Sequence, residues 1–360
     1  MKITLIAGAR PNFVKIAPII AAIKKTSYSQ KLEYRLVHTG QHYDKVMSAQ
    51  FFEELEIPEP HANLECGGGS QAEQTANIMV KFEKELLEHP CDLVLVVGDV
   101  TSTLACSIVA KKLNTKVAHV EAGIRSYDLS MPEEINRMVT DAITDYYFTT
   151  SEVANNNLLK AGVSHEQIYF VGNTMIDTLL KNLSRLQKPP VWDELNLVNQ
   201  KYFIITLHRP ANVDEEGKLK LLIDEIVNNA GGLPVIFPVH PRTNKLLAGL
   251  GIGADNLFMI EPLGYLEFNY LVKNAKAVIT DSGGITEETT VMGVPCLTLR
   301  DNTERPETIS IGTNELIGTD PAAIRPAMQK LFSGEWKKGG IPALWDGKTS
   351  ERIVEILSVL

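Results

Sequence analysis

The chain has little to hold it together except packing. Its four cysteines (Cys66, Cys91, Cys106, Cys296) make no CxxC pair and no metal-ligand spacing. That excludes a disulfide scaffold and leaves small core residues in a reducing compartment. No HExxH or similar spacing gathers histidines and acids, so no metal is expected. Neither GxGxxG nor GxxxxGK[ST] occurs, which excludes the dinucleotide fingerprint and the Walker loop. No apolar run reaches the ~20 residues of a membrane span. The first residues, "MKITLIAGARP", hold too short an apolar core for a signal peptide, so a cytoplasmic protein is expected. Positive charge is also in deficit. With 35 Lys and Arg against 44 Asp and Glu, the formal net charge of −9 argues against a nucleic-acid or membrane-surface binder.

What is present is alternation. Short apolar runs ("KITLIAG", "YRLVHTG", "DLVLVVGD", "KVAHVEAG") read as fully buried strands. Amphipathic stretches over 13–25, 70–88 and 102–113 read as the helices between them. This order predicts a parallel sheet covered on both faces. The pattern restarts near Lys201 with "KYFIITLHRP", "LPVIFPVHP", "NLFMIEP", "KAVITDSGG" and "PCLTLR". Its length of 360 residues suits two domains rather than one core. The expected fold class is α/β, with two doubly wound Rossmann-like domains facing across a cleft. The first covers 1–175, to be completed by the last helix over 350–360, and the second covers 176–349. The linker is placed in "LSRLQKPPVWDELNLVNQ", around Pro189–Pro190.

In such sheets ligands sit beyond the carboxyl ends of the strands, and the polar clusters of this chain lie there. In "VITDSGGITEETTVMGVP" a strand ends at Thr280, and Gly283–Gly284 open a helix that stops at Gly293. Glycines at a helix N-terminus let backbone N–H groups approach an anion, and Ser282 adds a hydroxyl or merely caps the helix. Glu287 and Glu288 in its first turns either complement the helix dipole or accept the hydroxyls of a ribose. Arg10 and Lys15 are expected at the rim of the first strand. His208 with Arg209, His240 with Arg242, and Arg305 supply further groups suited to a diphosphate.

The acids cluster elsewhere. Asp99 closes "VLVVGD", Glu121 closes "VAHVEAG", and Glu133–Glu134 follow Pro132. A carboxylate at the mouth of a buried strand loses solvent, which raises its pKa toward the range where proton exchange is feasible. Glu121 needs a partner, for which Arg125 is a candidate. Glu133–Glu134 also reads as an ordinary helix start.

Taken in order, "GARPNFVKIAP", "VVGDVTSTLA", "HVEAGIRS", "MPEEINR", "VGNTMID", "HRPAN", "PVHPRT", "TDSGGITEE" and "RDNTERPE" resemble the non-hydrolysing UDP-N-acetylglucosamine 2-epimerases, which have the glycosyltransferase-B fold. The match runs from Gly8 to about Gly318. The resemblance implies a UDP-sugar substrate, no cofactor, a homodimer, and interconversion of UDP-GlcNAc and UDP-ManNAc. It implies anti elimination of UDP to 2-acetamidoglucal, followed by syn re-addition. Asp99, Glu121 and Glu133 match the family's catalytic carboxylates, and His208 its diphosphate-side histidine. Asp99, Glu121 and His208 also count among the substrate contacts. Arg10, Lys15, Ser282, Gly283, Gly284 and Arg305 match substrate-binding or UDP-binding positions. Glu288 matches the ribose-binding glutamate, Phe268 a position beside the uracil, and Leu263 a backbone contact there. Of the acidic pair, Glu133 is assigned to catalysis and Glu134 to the helix start.

Three departures stand out. Pro11, Asn12 and Phe13 follow Arg10 where many members read P-E-A. Pro210 follows Arg209 where many read R-E. Gln41 and His42 lack the basic neighbours of allosterically regulated members. The competing readings are an epimerase of a modified sugar such as a UDP-2,3-diacetamido uronate, a hydrolysing relative, a glycosyltransferase of the same fold, and a silent UDP-sugar sensor.

Overall fold

In a computed structural model the chain folds into two compact units, Met1–Lys181 with Ala343–Leu360, and Asn182–Pro342. All residues are described except 26–30, 41–50, 214, 240–246, 248 and 250–252. Gln41, His42, His240 and Arg242 therefore lie outside the described residues.

The first unit is a seven-stranded, all-parallel sheet in the order β3-β2-β1-β4-β5-β6-β7. Its strands are β1 (Lys2–Ala7), β2 (Glu33–His38), β3 (Ala62–Asn63), β4 (Leu93–Val97), β5 (Lys116–Val120), β6 (Tyr146–Thr149) and β7 (Ile168–Phe170). The order reverses between β1 and β4, which is where a doubly wound sheet opens a crevice for a ligand. The helices that bear on the site are α1 (Arg10–Ile23), α2 (Gln71–Glu88), α3 (Thr101–Lys112), α4 (Pro132–Ile143), α5 (Glu152–Lys160) and α6 (Thr174–Asn182). Strand β4 is buried along its whole length, as its run of Leu and Val requires of a central parallel strand. Helix α2 starts where sequence chemistry says it should. Ser70 Oγ accepts from Glu73 N–H, and the Glu73 carboxylate accepts from Ser70 N–H, a reciprocal capping box.

The second unit repeats the plan with six parallel strands in the order β10-β9-β8-β11-β12-β13. They are β8 (Phe203–Thr206), β9 (Val235–Pro238), β10 (Leu257–Ile260), β11 (Ala277–Thr280), β12 (Cys296–Thr298) and β13 (Asn314–Leu316). Here the reversal falls between β8 and β11. Helices α7 (Pro190–Glu194), α8 (Pro210–Val213), α9 (Glu216–Asn229), α10 (Tyr265–Asn274), α11 (Gly283–Met292), α12 (Pro306–Ser310) and α13 (Ile324–Phe332) belong to this unit, and α14 (Thr349–Leu357) returns to the first. No described helix is long and apolar enough to cross a membrane.

The stretch 183–200 differs from the linker expected there. Val191 and Leu197 are buried in the second core, and the Trp192 ring stands edge-on to Tyr202 and Tyr270. The prolines hid this because Pro190 occupies the first position of α7, where a missing N–H costs nothing.

Candidate active site

In the first unit the turn from β1 into α1 is held by Asn12. Its Oδ1 accepts from Gly8 N–H (3.0 Å) and Ala9 N–H (3.1 Å), and its Nδ2 donates to the Val97 carbonyl (3.0 Å). One buried amide thus ties the β1 turn to the end of β4. This gives Asn12, a departure from the family pattern, a structural reason. Arg10 lies exposed at the start of α1.

Glu121 follows β5 directly. It is 3% exposed and adopts φ +72°, a left-handed conformation that costs a residue with a Cβ and is typical of functional turns. Lys15 Nζ donates to its Oε2 at 2.7 Å. Two expectations are corrected here. Lys15 is buried rather than at a rim, and it is Lys15, not Arg125, that the geometry puts on Glu121. Arg125 Nη1 lies 2.6 Å from Asp141. Asp141 also accepts from Gly123 N–H and contacts the buried His119, whose Nε2 meets the Gly98 carbonyl. Burial would raise the Asp141 carboxyl, yet His119 and Arg125 together hold it below the usual carboxylate range.

Asp99, just past β4, receives Arg137 Nε (3.0 Å) and Nη2 (2.8 Å), while its carbonyl accepts from Asn136 Nδ2 (2.8 Å). The first turns of α4 are thereby docked on the β4 end. Glu133 lies exposed one helical turn before Arg137, on the same side of the helix. Its neighbour Glu134 is fully buried. The Glu134 carboxylate accepts from Ser126 N–H, Ser126 Oγ and Tyr127 N–H, and pairs with Arg137 Nη1. Glu134 therefore does more than start a helix: it fastens the 126–127 loop to the arginine that holds Asp99.

In the second unit α11 begins at Gly283, with Ser282 as its N-cap residue but no capping bond from the Ser282 side chain. A Cβ on Gly283 would come within 2.7 Å of Glu304 Oε1, so a larger residue there would displace the Glu304 carboxylate. Asp281 is fully buried, and accepts from the backbone N–H of His208 and Arg209 and from Asn212 Nδ2. His208 Nδ1 lies 2.8 Å from Asp281 Oδ1, while the ring is 62% exposed. Burial opposes ionisation of Asp281, but His208 and the other donors bring its pKa below the ordinary value. An acid beside a glycine turn repels an anion unless it is neutralised. That tension was the sequence signal for a partner, and it points to Asp281 itself.

Both glutamates of α11 are buried and engaged. Arg305 Nε lies 2.6 Å from Glu287, and Tyr265 Oη donates to Glu288 at 2.8 Å. Arg305 is thus buried on α11. Burial pushes the Glu288 carboxyl up to about 7, with Tyr265 and Asn269 pulling the other way. Tyr265 opens α10, which also carries Phe268, and Leu263 precedes it; Phe268 and Leu263 are half-buried against the second core. Sequence reasoning missed Asn12, Arg137, Asp281 and Tyr265 as site-forming residues, although the first three stood inside stretches it singled out and Tyr265 lies between the named Leu263 and Phe268.

Two parallel-sheet domains with polar clusters at each switch point define a glycosyltransferase-B-like α/β protein. The family model of UDP-N-acetylglucosamine 2-epimerase matches residues 24–358, and the chain belongs to that family of isomerases. A curated UDP-N-acetylglucosamine 2-epimerase of Methanocaldococcus jannaschii is 42% identical over 374 residues, covering 99% of both chains. A curated UDP-2,3-diacetamido-2,3-dideoxy-D-glucuronate 2-epimerase of Pseudomonas aeruginosa is 38% identical and covers 100% of each. A crystal structure of the M. jannaschii UDP-GlcNAc 2-epimerase in complex with UDP-GlcNAc and UDP superposes with a TM-score of 0.90, at 42% identity and 100% coverage of both chains.

Proposed function

We propose that the chain interconverts UDP-N-acetylglucosamine and UDP-N-acetylmannosamine without hydrolysis, supplying UDP-ManNAc for surface polysaccharide synthesis. The observation that carries this reading is the acid cluster at the β4 and β5 ends. Asp99 sits under Arg137, Glu121 is paired with Lys15, and Glu133 stands on the helix turn beside them. Inverting C2 requires proton removal on one face and delivery on the other, and several acids around one centre suit that.

In the proposed sequence the C2–H bond breaks and its proton passes to a carboxylate. As it does so the C2–H electron pair becomes the C1=C2 double bond, and the anti C1–O bond breaks with its electron pair leaving on UDP, which gives 2-acetamidoglucal. Return of a proton to C2 on the opposite face, with UDP oxygen adding back to C1, gives the epimer. Arg10, His208, Ser282, Gly283 and Gly284, with Arg305, suit the diphosphate, and Glu288 with Phe268 and Leu263 suit the uridine. An oxyanion leaving group is stabilised by preorganised donors of this kind.

Incubation in deuterated water tests the proposal. UDP-GlcNAc should gain deuterium at C2 with no accumulation of UDP, whereas inert C2 would sink it. The 38% relative from P. aeruginosa makes a diacetamido uronate the second reading; exchange confined to that sugar would establish it instead. We further propose a homodimer, as the family resemblance implies; sedimentation as a monomer at micromolar concentration would refute that.

A further inference from the structure

We infer that His119 is a positioning residue for Asp99: fully buried on β5, it holds the Gly98 carbonyl and so fixes the peptide that carries the acid. The inference rests on the epimerase reading, in which Asp99 is one of the carboxylates around C2. The ring bridges two elements. His119 Nε2 stands 2.8 Å from the Gly98 carbonyl at the end of β4, and Nδ1 stands 2.7 Å from Asp141 Oδ1 on α4. A carbonyl oxygen only accepts, so Nε2 carries a proton and donates it.

The Gly98 carbonyl takes a side-chain donor because the strand ladder ends there. Gly98 N–H still donates to the Val120 carbonyl (3.0 Å), but its φ of +66° turns the next peptide out of the ladder. The N–H groups that follow on either side are engaged elsewhere. On the β5 side, Glu121 N–H and Ala122 N–H both donate to the Phe148 carbonyl. On the β1 side, Gly8 N–H and Ala9 N–H donate to Asn12 Oδ1. A buried carbonyl is seldom left without a partner, and His119 supplies one from within the sheet.

Fixing that carbonyl fixes Asp99, because a planar peptide joins the two residues. The carbonyl of Asp99 itself accepts from Asn136 Nδ2 (2.8 Å), and its carboxylate meets Arg137 Nε (3.0 Å) and Nη2 (2.8 Å). Asn136, Arg137 and Asp141 all belong to α4. One helix therefore holds Asp99 at its carboxylate, at its carbonyl and, through His119, at the peptide before it. Asp141 is anchored in turn: its carboxylate meets Gly123 N–H and Arg125, and its carbonyl accepts from Tyr147 Oη on β6 (2.7 Å). The imidazole is thus fixed at both nitrogens, as placing a reacting carboxylate requires.

Two substitutions separate this role from simple support of the core. The amide nitrogen of glutamine lies as far along its side chain as Nε2 does, and that of asparagine as far as Nδ1. His119→Gln therefore keeps a donor for the Gly98 carbonyl and gives up Asp141, whereas His119→Asn keeps a donor for Asp141 and gives up Gly98. With saturating UDP-GlcNAc, C2 deuterium exchange should be at least about tenfold faster in His119→Gln than in His119→Asn, since a displacement of about 1 Å costs up to about 100-fold. UDP affinity, measured calorimetrically, should agree between the two variants within about threefold. A rate ratio below about tenfold, or one matched by an equal difference in UDP affinity, overturns the inference.

Should His119→Asn not fold, the wild-type ring decides. Heteronuclear NMR should find a proton on His119 Nε2 that exchanges slowly with water, as a buried donor bonded to a carbonyl does; an Nε2 without its proton overturns the inference. Wild-type protein without C2 exchange on any UDP-sugar would instead sink the epimerase reading, and the ring proton would still report the contact between His119 and Gly98.

Discussion

At the residue scale, acids were legible where they broke a pattern, and their partners were not. An acid ending a buried strand, as Asp99 and Glu121 do, contradicts the apolar run before it and is visible in one dimension. Its counter-ion lies 106 positions away in Lys15 for Glu121, and 38 away in Arg137 for Asp99. Only the folded sheet brings them into contact. Glu288 shows what burial then does to such a group. Its carboxyl rises from an ordinary 4.5 to about 7. Below pH 4.5 it is neutral in both folded and unfolded chains. Between about 4.5 and 7 the unfolded chain ionises and the folded one lags, so stability falls as pH rises through that window, by about 3 kcal/mol in all. Glu288→Gln cannot ionise and keeps an acceptor for Tyr265. Urea unfolding of the second unit should therefore show the variant matching wild type near pH 4 and exceeding it by pH 8. UDP affinity of the variant should fall by about 10- to 150-fold if Glu288 accepts the ribose hydroxyls, as charge-assisted hydrogen bonds contribute about 1.5–3 kcal/mol. A wild-type stability flat between pH 4 and 8 would contradict the burial argument.

At the scale of elements, the strands named from the sequence could be read because a continuous apolar run marks each, even β12 with three paired residues. β3 (Ala62–Asn63) and β13 (Asn314–Leu316) hold no such run, so they emerge only from pairing with a neighbour. The first turn of α4 is the sharpest case of two readings in adjacent letters. Sequence alone allowed Glu133–Glu134 to be a helix start; burial now separates them, since Glu133 faces solvent and Glu134 is enclosed among two backbone donors, a hydroxyl and Arg137. Glu134→Ala leaves those N–H groups and a buried guanidinium short of an acceptor. A loss of about 3–5 kcal/mol is expected, with turnover reduced indirectly as Arg137 and Asp99 loosen. Glu133→Gln should leave the melting temperature within about a degree, since exposed surface changes shift stability little, yet abolish most C2 exchange if Glu133 exchanges protons. Equal thermal losses in the two variants would remove this division of roles.

At the scale of the whole molecule, the chain crosses to a second sheet and then comes back, so the first unit contains both termini. The return is secured by a capping contact far apart in sequence. Asp177, on α6, accepts from Thr349 N–H (3.1 Å), Ser350 N–H (2.6 Å) and Ser350 Oγ (2.7 Å) at the start of α14. It is a carboxylate supplied from another helix to N–H groups that α14 cannot satisfy itself. The apolar face of α14 then buries Ile353, Val354 and Leu357, and Trp345 just before it is 1% exposed, with Nε1 donating to the Thr150 carbonyl. Asp177→Ala removes the acceptor from buried donors, which should cost the first unit about 2–4 kcal/mol. The three tryptophans divide between the units, Trp345 in the first and Trp192 and Trp336 in the second, so fluorescence can report each separately. In a Trp192→Phe, Trp336→Phe background, Asp177→Ala should move the Trp345 unfolding transition to lower urea. In a Trp345→Phe background the transition seen by Trp192 and Trp336 should stay where it was. A common shift in both would mean that the two units unfold as one cooperative body and that the contact of Asp177 with α14 stabilises the molecule rather than the first unit alone.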